Sequence, residues 1–168
     1  AMADFVELRA AGQGVVWSCH EPATGLTQLW QGSANQPPRR LTPEGFSVRS
    51  RVNEYGGGSF AVAGPLLVFV NESDQQLYRQ WLDRPDDLPV ALTGRPACRY
   101  ADMQIAPCGS YLVAVEEDHG RTSVQHRTVS VRLETLPCVP QALVAGDDFY
   151  SSPRLSPDGR RPLWVGWQ

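Results

Sequence analysis

The stretch YSSPRLSPDGRRPLWVGW, residues 150–167, has the pattern of a strand, a tight turn and a second strand. In the turn, Pro157 fixes φ for the first corner of a type I turn, Asp158 suits the second corner, and Gly159 accepts the left-handed conformation that follows. β-Branched and aromatic residues lie on both sides of the turn, as is typical of a β-hairpin.

The same hairpin pattern occurs twice earlier in the chain, beginning at Tyr55 and at Tyr100. The three tyrosines, with Tyr150, are 45 and then 50 residues apart. Counted from each tyrosine without a gap, the sixth, fourteenth and sixteenth residues are apolar and the tenth is glycine. These shared positions are Phe60, Ile105 and Leu155; Val68, Val113 and Leu163; Val70, Val115 and Val165; and Gly64, Gly109 and Gly159. A period of this length is typical of four-stranded propeller blades. Three hairpins of a β-sandwich remain the alternative.

The chain is therefore predicted to be all-β, with a single partial β-propeller domain over residues 1–168. We expect about three to four antiparallel blades of four strands, some of them incomplete. The blade remnants fall near residues 13–42, 55–93, 100–145 and 150–168. The first is expected to have a weak or missing first strand, and the fourth to have only its first hairpin. Because Pro162 lacks a backbone N–H, it should weaken or kink the second strand of that hairpin.

An open arc of this size raises the question of how its edges are protected. Closed propellers have typically 4 to 8 blades, and closure removes unpaired strand edges. Three outcomes are compatible with the sequence. The chain is a fragment, it closes by association with further copies, or it folds as a smaller open β structure.

Composition narrows the classes of partner. The 168 residues are 42% apolar and carry a net charge of −3, which argues against nucleic acid or an anionic membrane as the main partner. The first ten residues lack the pattern of a signal peptide. The four cysteines show no metal-ligand or disulfide spacing and are expected to be reduced and partly buried, which favours a cytoplasmic protein. They are Cys19, Cys98, Cys108 and Cys138. No metal and no cofactor are expected.

The loops that precede each first strand, called leading loops below, should share one face of the disk. Successive turns of an antiparallel blade alternate between its two ends, so the leading loops lie beside the turns between second and third strands. Their polar and aromatic residues are Arg49, Arg51, Asn53, Glu54, Tyr55, Arg95, Arg99, Tyr100, Asp147, Asp148, Phe149 and Tyr150, joined by residues 71–74 and 116–119. A surface that carries positive charges, negative charges and tyrosines predicts a peptide-binding site. The candidate substrate-binding residues are Arg51, Glu54, Tyr55, Arg99 and Tyr100. Alternatively, the charges are solvated and the tyrosines pack between blades.

No catalytic signature is present. The segment around Ser59 begins like a nucleophile elbow but ends in Ala61 and leads into a strand, so it is rejected. The triple glycine at residues 56–58 lacks the lysine and helix of a phosphate loop and instead predicts a close backbone approach. The EEDH segment at residues 116–119 is interpreted as a charged turn, and His20 and His126 have no evident partners. No catalytic residue is predicted.

Several of these stretches together resemble a known family. RVNEYGGGSFAV at residues 51–62, LVFVNESDQQLYRQ at residues 67–80 and RYADMQIAPCGSYLVAVEEDH at residues 99–119 resemble the N-terminal propeller of the prolyl oligopeptidase family. The most similar branch contains the acylaminoacyl-peptidases and dipeptidyl-aminopeptidase-like enzymes. LSPDGRRPLWVGW at residues 155–167 resembles the blade motif shared by that family and TolB-like propellers. The resemblance covers most of residues 40–168, and the NEYGGG and DQQLYRQ segments are its most specific parts.

The resemblance implies a larger serine peptidase. Family members place a propeller of seven or eight blades over an α/β-hydrolase domain that holds a Ser-Asp-His triad, and the propeller admits only short peptides. These residues contain no such domain, so we expect no activity from the chain alone. Its expected function is to gate or orient peptides, with the hydrolase domain as partner. Some relatives hold the substrate amine with propeller glutamates, and Glu54 has a suitable position. The alternative is a stand-alone β-repeat module that binds a protein or peptide, with possible closure as a homo-oligomer.

Overall fold

A computed structural model describes residues 4–12 and 14–168. The regular structure of these residues consists of strands and one short 3₁₀ turn, Val52–Glu54, so the all-β prediction is confirmed. The strands form separate antiparallel sheets in which chain neighbours are also sheet neighbours. In the described part of the chain, no helix is long and apolar enough to span a membrane.

Sheet I has four strands where the sequence predicted an incomplete blade. They are β1 Asp4–Ala11, β2 Gly14–Glu21, β3 Leu26–Ser33 and β4 Gln36–Arg40. The expectation of a weak or missing first strand was wrong, because β1 pairs with β2 along its whole length. A bulge between Phe5 and Glu7 interrupts the alternation of apolar residues in β1. Because that alternation is the sequence signal of a strand, β1 was not predicted.

Sheets II and III are complete four-stranded blades, as predicted. Sheet II contains β5 Phe60–Ala63, β6 Leu66–Val70, β7 Leu77–Trp81 and β8 Val90–Ala91. Sheet III contains β9 Cys98–Ile105, β10 Tyr111–Asp118, β11 Gln125–Arg132 and β12 Gln141–Ala145. In both sheets the second strand is almost entirely buried, which explains the apolar runs at residues 66–70 and 112–115.

Sheet IV is the predicted single hairpin, β13 Phe149–Leu155 with β14 Pro162–Trp167. Pro162 does not interrupt β14, because the strand begins at this residue, and the expected weakening of the strand stays a prediction. Pro162 faces Leu155 across the hairpin, and a missing N–H is tolerated at this position. The neighbouring Arg161 carbonyl instead accepts the N–H of Ser156 at 2.9 Å.

Apolar residues of adjacent sheets pack face to face and form the core. The residues between sheets I and II include Val16, Leu29, Phe60, Leu67 and Phe69. Those between sheets II and III include Val68, Leu77, Tyr100, Leu112 and Val131. Those between sheets III and IV include Val52, Ala101, Val115 and Tyr150. The outward side of sheet IV has no described neighbour, so the repeat positions Leu163 and Val165 are exposed there.

The predicted turn glycines have the expected conformation. Gly64, Gly109 and Gly159 have φ values of 55°, 71° and 71°, which L-residues rarely adopt. All three lie between the first and second strands of their sheets and therefore share one face of the arc. We call it the hairpin-turn face, and the leading loops lie on the opposite face.

Candidate functional site

Three clefts open on the leading-loop face, one at each junction between neighbouring sheets. The cleft between sheets II and III has a volume of about 650 Å³ and is lined by Asp74, Arg99 and His119 among others. The clefts between sheets I and II and between sheets III and IV have volumes of about 430 Å³ and 340 Å³. Tyr55 lines the cleft between sheets I and II. This face therefore gathers several of the residues predicted from the sequence.

The leading loop of sheet II crosses over the end of sheet III and presents Glu54. Within its 3₁₀ turn, Asn53 and Glu54 have φ values of 54° and 61°, two successive non-glycine residues in the left-handed region. Such a conformation persists only where the surrounding structure holds it. Here the buried Glu117 carboxylate accepts the N–H of Asn53 at 2.5 Å. The turn is thus fixed to the end of β10.

Arg99 orients the exposed side of the same turn. Its Nη1 donates to Glu54 Oε1 at 2.6 Å and to the carbonyl oxygen of Arg51 at 2.8 Å. The hydrogen bond and charge of Arg99 hold the pKa of Glu54 below its ordinary value. The Glu54 side chain is still 73% exposed. An ionised carboxylate is therefore presented to solvent in a defined orientation.

The remaining predicted site residues divide into exposed and buried groups. Tyr55 is 98% exposed beside Glu54, whereas Tyr100 is fully buried. The Tyr100 hydroxyl donates to Glu116 Oε2 at 3.0 Å, and burial followed by the Glu116 charge raises the Tyr100 pKa. Tyr100 therefore packs between sheets, as the alternative interpretation predicted. Arg51 is exposed on the leading-loop face, and its Nη2 is 3.7 Å from Glu72 Oε1.

The EEDH segment is not a charged surface turn, and that interpretation was wrong. Glu116, Glu117 and Asp118 are the buried last residues of β10. Glu116 and Asp118 share two cations, because Arg127 Nη2 is 2.7 Å from an oxygen of each and Arg95 is 3.1 Å and 3.2 Å from them. The sequence did not indicate this network, because Arg127 faces Glu116 only through the pairing of β10 with β11 and Arg95 comes from the leading loop of sheet III.

Cys98, Glu116 and Asp118 bring three potential metal-ligand atoms within 4.8 Å of one another. The environment does not fit a cation. Two guanidinium groups already balance the two carboxylates, and burial raises the pKa of the Cys98 thiol to about 12. A thiol must lose its proton to bind a metal, so this cluster is a buried ion-pair network.

Two histidines that lacked evident partners in the sequence have neighbours in the structure. His126 Nε2 lies 3.8 Å from Glu117 Oε2, and its ring lies 5.3 Å from the ring of Phe149. His20 Nδ1 lies 3.3 Å from Thr27 Oγ1. Phe149 lines the cleft between sheets III and IV with Asp147 and Asp148.

The glycine-rich segment before β5 has a structural function. A Cβ atom on Gly57 would lie 3.0 Å from the Ala101 side chain, so the predicted close approach is confirmed. Ser59 is buried and its hydroxyl donates to Glu7 Oε2 at 2.9 Å. These contacts join neighbouring sheets.

The structure has counterparts among solved peptidases. A Mycobacterium tuberculosis puromycin-hydrolyzing peptidase matches 98% of this chain with 30% identity and a TM-score of 0.85. A puromycin hydrolase matches 97% with 30% identity and a TM-score of 0.86, and a mutant of a puromycin hydrolase complexed with PGG gives a TM-score of 0.87 at the same identity and coverage. The chain spans 28% of the length of each of these proteins.

A chain of a nidogen/laminin complex shares only the fold, with 12% identity and a TM-score of 0.62. No protein-family model matches the chain, and no curated protein matches its sequence. The peptidase matches combine 30% identity with nearly complete coverage of this chain, so they confirm the resemblance identified from the repeat and the NEYGGG segment. The chain is thus an open arc of propeller-like sheets that is similar to a part of these puromycin-hydrolyzing peptidases.

Proposed function

We propose that this chain is the part of a serine peptidase propeller that orients short peptides. The leading-loop face carries the site, and Glu54 binds the free amine of the peptide. Arg99 holds the Glu54 carboxylate, and Tyr55 packs against the first side chains of the peptide. Arg51 is exposed in the same leading loop, at the edge of the proposed peptide site. The observation that carries the proposal is the exposed, ionised Glu54 carboxylate on a left-handed turn fixed by Arg99.

Electrostatics and the comparisons support this assignment. An ammonium group placed against an oriented carboxylate forms a charge-assisted hydrogen bond, which is stronger than a neutral one. Glu54 Oε1 is engaged by Arg99, so Oε2 is the oxygen available to the peptide amine. The matching proteins are described as a peptidase and as puromycin hydrolases, one of them complexed with PGG.

The test is titration of the chain with trialaninamide and with its N-acetyl form. We expect trialaninamide to bind and N-acetyl-trialaninamide to bind about tenfold more weakly, since loss of one charge-assisted contact corresponds to roughly that factor. Glu54→Gln should abolish the difference between the two peptides. The matched control is Glu134→Gln, because Glu134 is an exposed glutamate on the hairpin-turn face. Equal binding of both peptides to the wild-type chain would contradict the amine assignment.

A hydrolase domain is the partner implied by the proposal, and a cytoplasmic location remains a prediction. The chain itself is proposed to be non-catalytic and to restrict or guide access to that domain. Adding the chain to trialaninamide should therefore release no alanine. Hydrolysis that survives repurification and is lost in a single variant of this chain would contradict this part of the proposal.

A specific observation also favours the second function, a β-repeat module that closes by self-association. The outward side of sheet IV exposes Leu163, Val165 and Trp167, and the β1 strand of sheet I exposes Phe5 and Leu8. Between the other sheets, equivalent apolar faces are buried. If two copies close the arc, the mass in solution should be that of a dimer, and Val165→Glu should give a monomer. A wild-type monomer at high concentration would exclude this closure.

A further inference from the structure

We propose that Glu117 is the positioning residue for Glu54, so that the buried end of β10 sets the direction of the exposed carboxylate. The effect of Glu117 on peptide binding rests on the proposed function. The structural part of the inference, the control of the leading-loop turn by Glu117, can be tested without any peptide.

Glu117 has the contacts expected of such a residue. Its side chain is only 4% exposed, and its Oε2 accepts the N–H of Asn53 from the leading loop of a different sheet at 2.5 Å. A buried carboxylate requires hydrogen-bonded or charged partners. The other groups that face it are His119 Nε2 at 2.5 Å, Arg99 Nη1 at 3.8 Å and His126 Nε2 at 3.8 Å.

The turn that Glu117 holds has an unfavourable backbone conformation. Asn53 and Glu54 are both left-handed, and neither is glycine. Arg51, the residue that precedes the 3₁₀ turn, makes no side-chain capping hydrogen bond. Ser50 and Arg51 are joined to sheet III by hydrogen bonds with Tyr100 and Arg99, and the bond to Glu117 is the corresponding contact of Asn53. When that bond is lost, the turn should relax and Glu54 should leave Arg99.

Arg99 gives a second connection between the two glutamates. The same Nη1 atom is 2.6 Å from Glu54 Oε1 and 3.8 Å from Glu117 Oε1. A guanidinium shared between two carboxylates balances only part of the charge of each. In Glu117→Gln, which keeps an acceptor for the Asn53 N–H but removes the charge, Arg99 should neutralise Glu54 more completely, which weakens the attraction of Glu54 for an ammonium group.

The decisive experiment combines Glu117→Ala with Asn53→Gly. Glycine adopts the left-handed conformation without steric cost, so it should restore part of the stability of the turn when Glu117 is absent. In the peptide-free protein, we expect Glu117→Ala to shift the NMR signals of the Glu54 amide and Arg99 Nε. Asn53→Gly in the same chain should return the Glu54 amide signal toward its original position. A residue with only a general stabilising effect would not be rescued in this way.

Trialaninamide binding gives the functional readout. Glu117→Ala should weaken binding about tenfold, the factor expected for one lost charge-assisted contact, and Asn53→Gly should recover part of that loss. Glu134→Gln should change neither readout. A folded Glu117→Ala variant with unchanged Glu54 and Arg99 signals would overturn the proposal.

A second variant covers the case in which Glu117→Ala does not fold. Glu117→Gln keeps an acceptor oxygen for the Asn53 N–H but removes the charge that faces Arg99, so the Arg99 Nε signal should move. An unchanged signal would again overturn the inference. If the wild-type chain binds no trialaninamide, the proposed function fails, and the peptide-free NMR signals still decide whether Glu117 positions Glu54.

Discussion

The Asp102 carboxylate joins three sheets, and its closest contact is with Gly58: Asp102 Oδ1 accepts the Gly58 N–H at 2.6 Å. Its Oδ2 accepts the N–H of Ser152 in sheet IV at 3.1 Å. Glu7 of β1 has a similar function, since its Oε2 accepts the Ser59 N–H at 3.0 Å. Ser152 lies at the bulge of β13, and Gly58 and Ser59 lie just before β5, so the two carboxylates supply acceptors to N–H groups at the edges of the regular pairing. The arc is thus held together near its axis by polar contacts as well as by its core.

Asp102→Gly should therefore destabilise the chain. Asp102 has a φ of 53°, so glycine keeps the backbone conformation while removing both hydrogen bonds. We expect a loss of about 2 kcal/mol in the free energy of unfolding, the value for hydrogen bonds to a charged group. Urea unfolding measures this change. Asp86→Gly, in an exposed loop, is the control, and an equal loss in both variants would refute the joining function of Asp102.

Gly109→Ala should destabilise the chain through backbone strain alone. A Cβ atom on Gly109 would meet nothing within 4 Å, so only its φ of 71° opposes the substitution. The expected loss is about 1–2 kcal/mol, the cost of a left-handed L-residue. Gly94→Ala is the matched control, because Gly94 also has open space and its φ lies outside the left-handed region. Thermal unfolding should separate the two variants, and equal stabilities would contradict the assigned turn.

Stability should fall in acid partly because of Asp118. Burial opposes its ionisation, but the Gly120 N–H and the guanidinium groups of Arg127 and Arg95 outweigh burial and lower its pKa. Because the folded pKa lies below the unfolded value of about 3.9, the contribution is present above that value and is lost as pH falls through the folded pKa. Unfolding free energies measured between pH 6 and pH 2 should therefore decrease less steeply in Asp118→Asn than in the wild-type chain. If the free energy of unfolding fell equally steeply with pH in both proteins, Asp118 would not contribute to the loss of stability in acid.

Thiol reagents should modify Cys108 first. It is exposed, and the hydrogen bond with the Ser110 hydroxyl lowers its pKa. The expectation that all four cysteines are partly buried was therefore wrong for Cys108, whereas the other three are buried and free. Since the thiolate is the reactive form, brief treatment with N-ethylmaleimide at pH 7 should add a single label. Mass spectrometry should find that label on Cys108 and find none in Cys108→Ser. Equal labelling of Cys98 would show that sheets II and III open readily.

The parts of the fold that follow from local chemistry were predictable. The β6 strand begins and ends at the predicted residues 66 and 70, because its apolar run lies between a glycine turn and polar residues. The β1 strand was missed because its bulge disrupts the alternation. The repeat also treats Tyr55 as equivalent to Tyr100 and Tyr150. In the structure, Tyr55 precedes its strand and is exposed, whereas the other two are buried within theirs.

The candidate site was predictable only in part. The leading loops are adjacent because blade topology requires it, so Glu54 and Arg99 were expected on one face. The contact between them, and the contact of Asn53 with Glu117, join residues 45 and 64 positions apart. Such pairs depend on how one loop crosses the next sheet. No local pattern of residues specifies that crossing.

The central claim, that the leading-loop face binds peptides through Glu54, is tested most directly by NMR mapping. The ¹⁵N-labelled chain is titrated with trialaninamide and the backbone amide signals are followed. The account predicts the largest shifts at Glu54, Tyr55 and Arg99, with Gly109 and Gly159 unchanged. Shifts confined to the hairpin-turn face, or an unchanged spectrum at millimolar peptide, would contradict it.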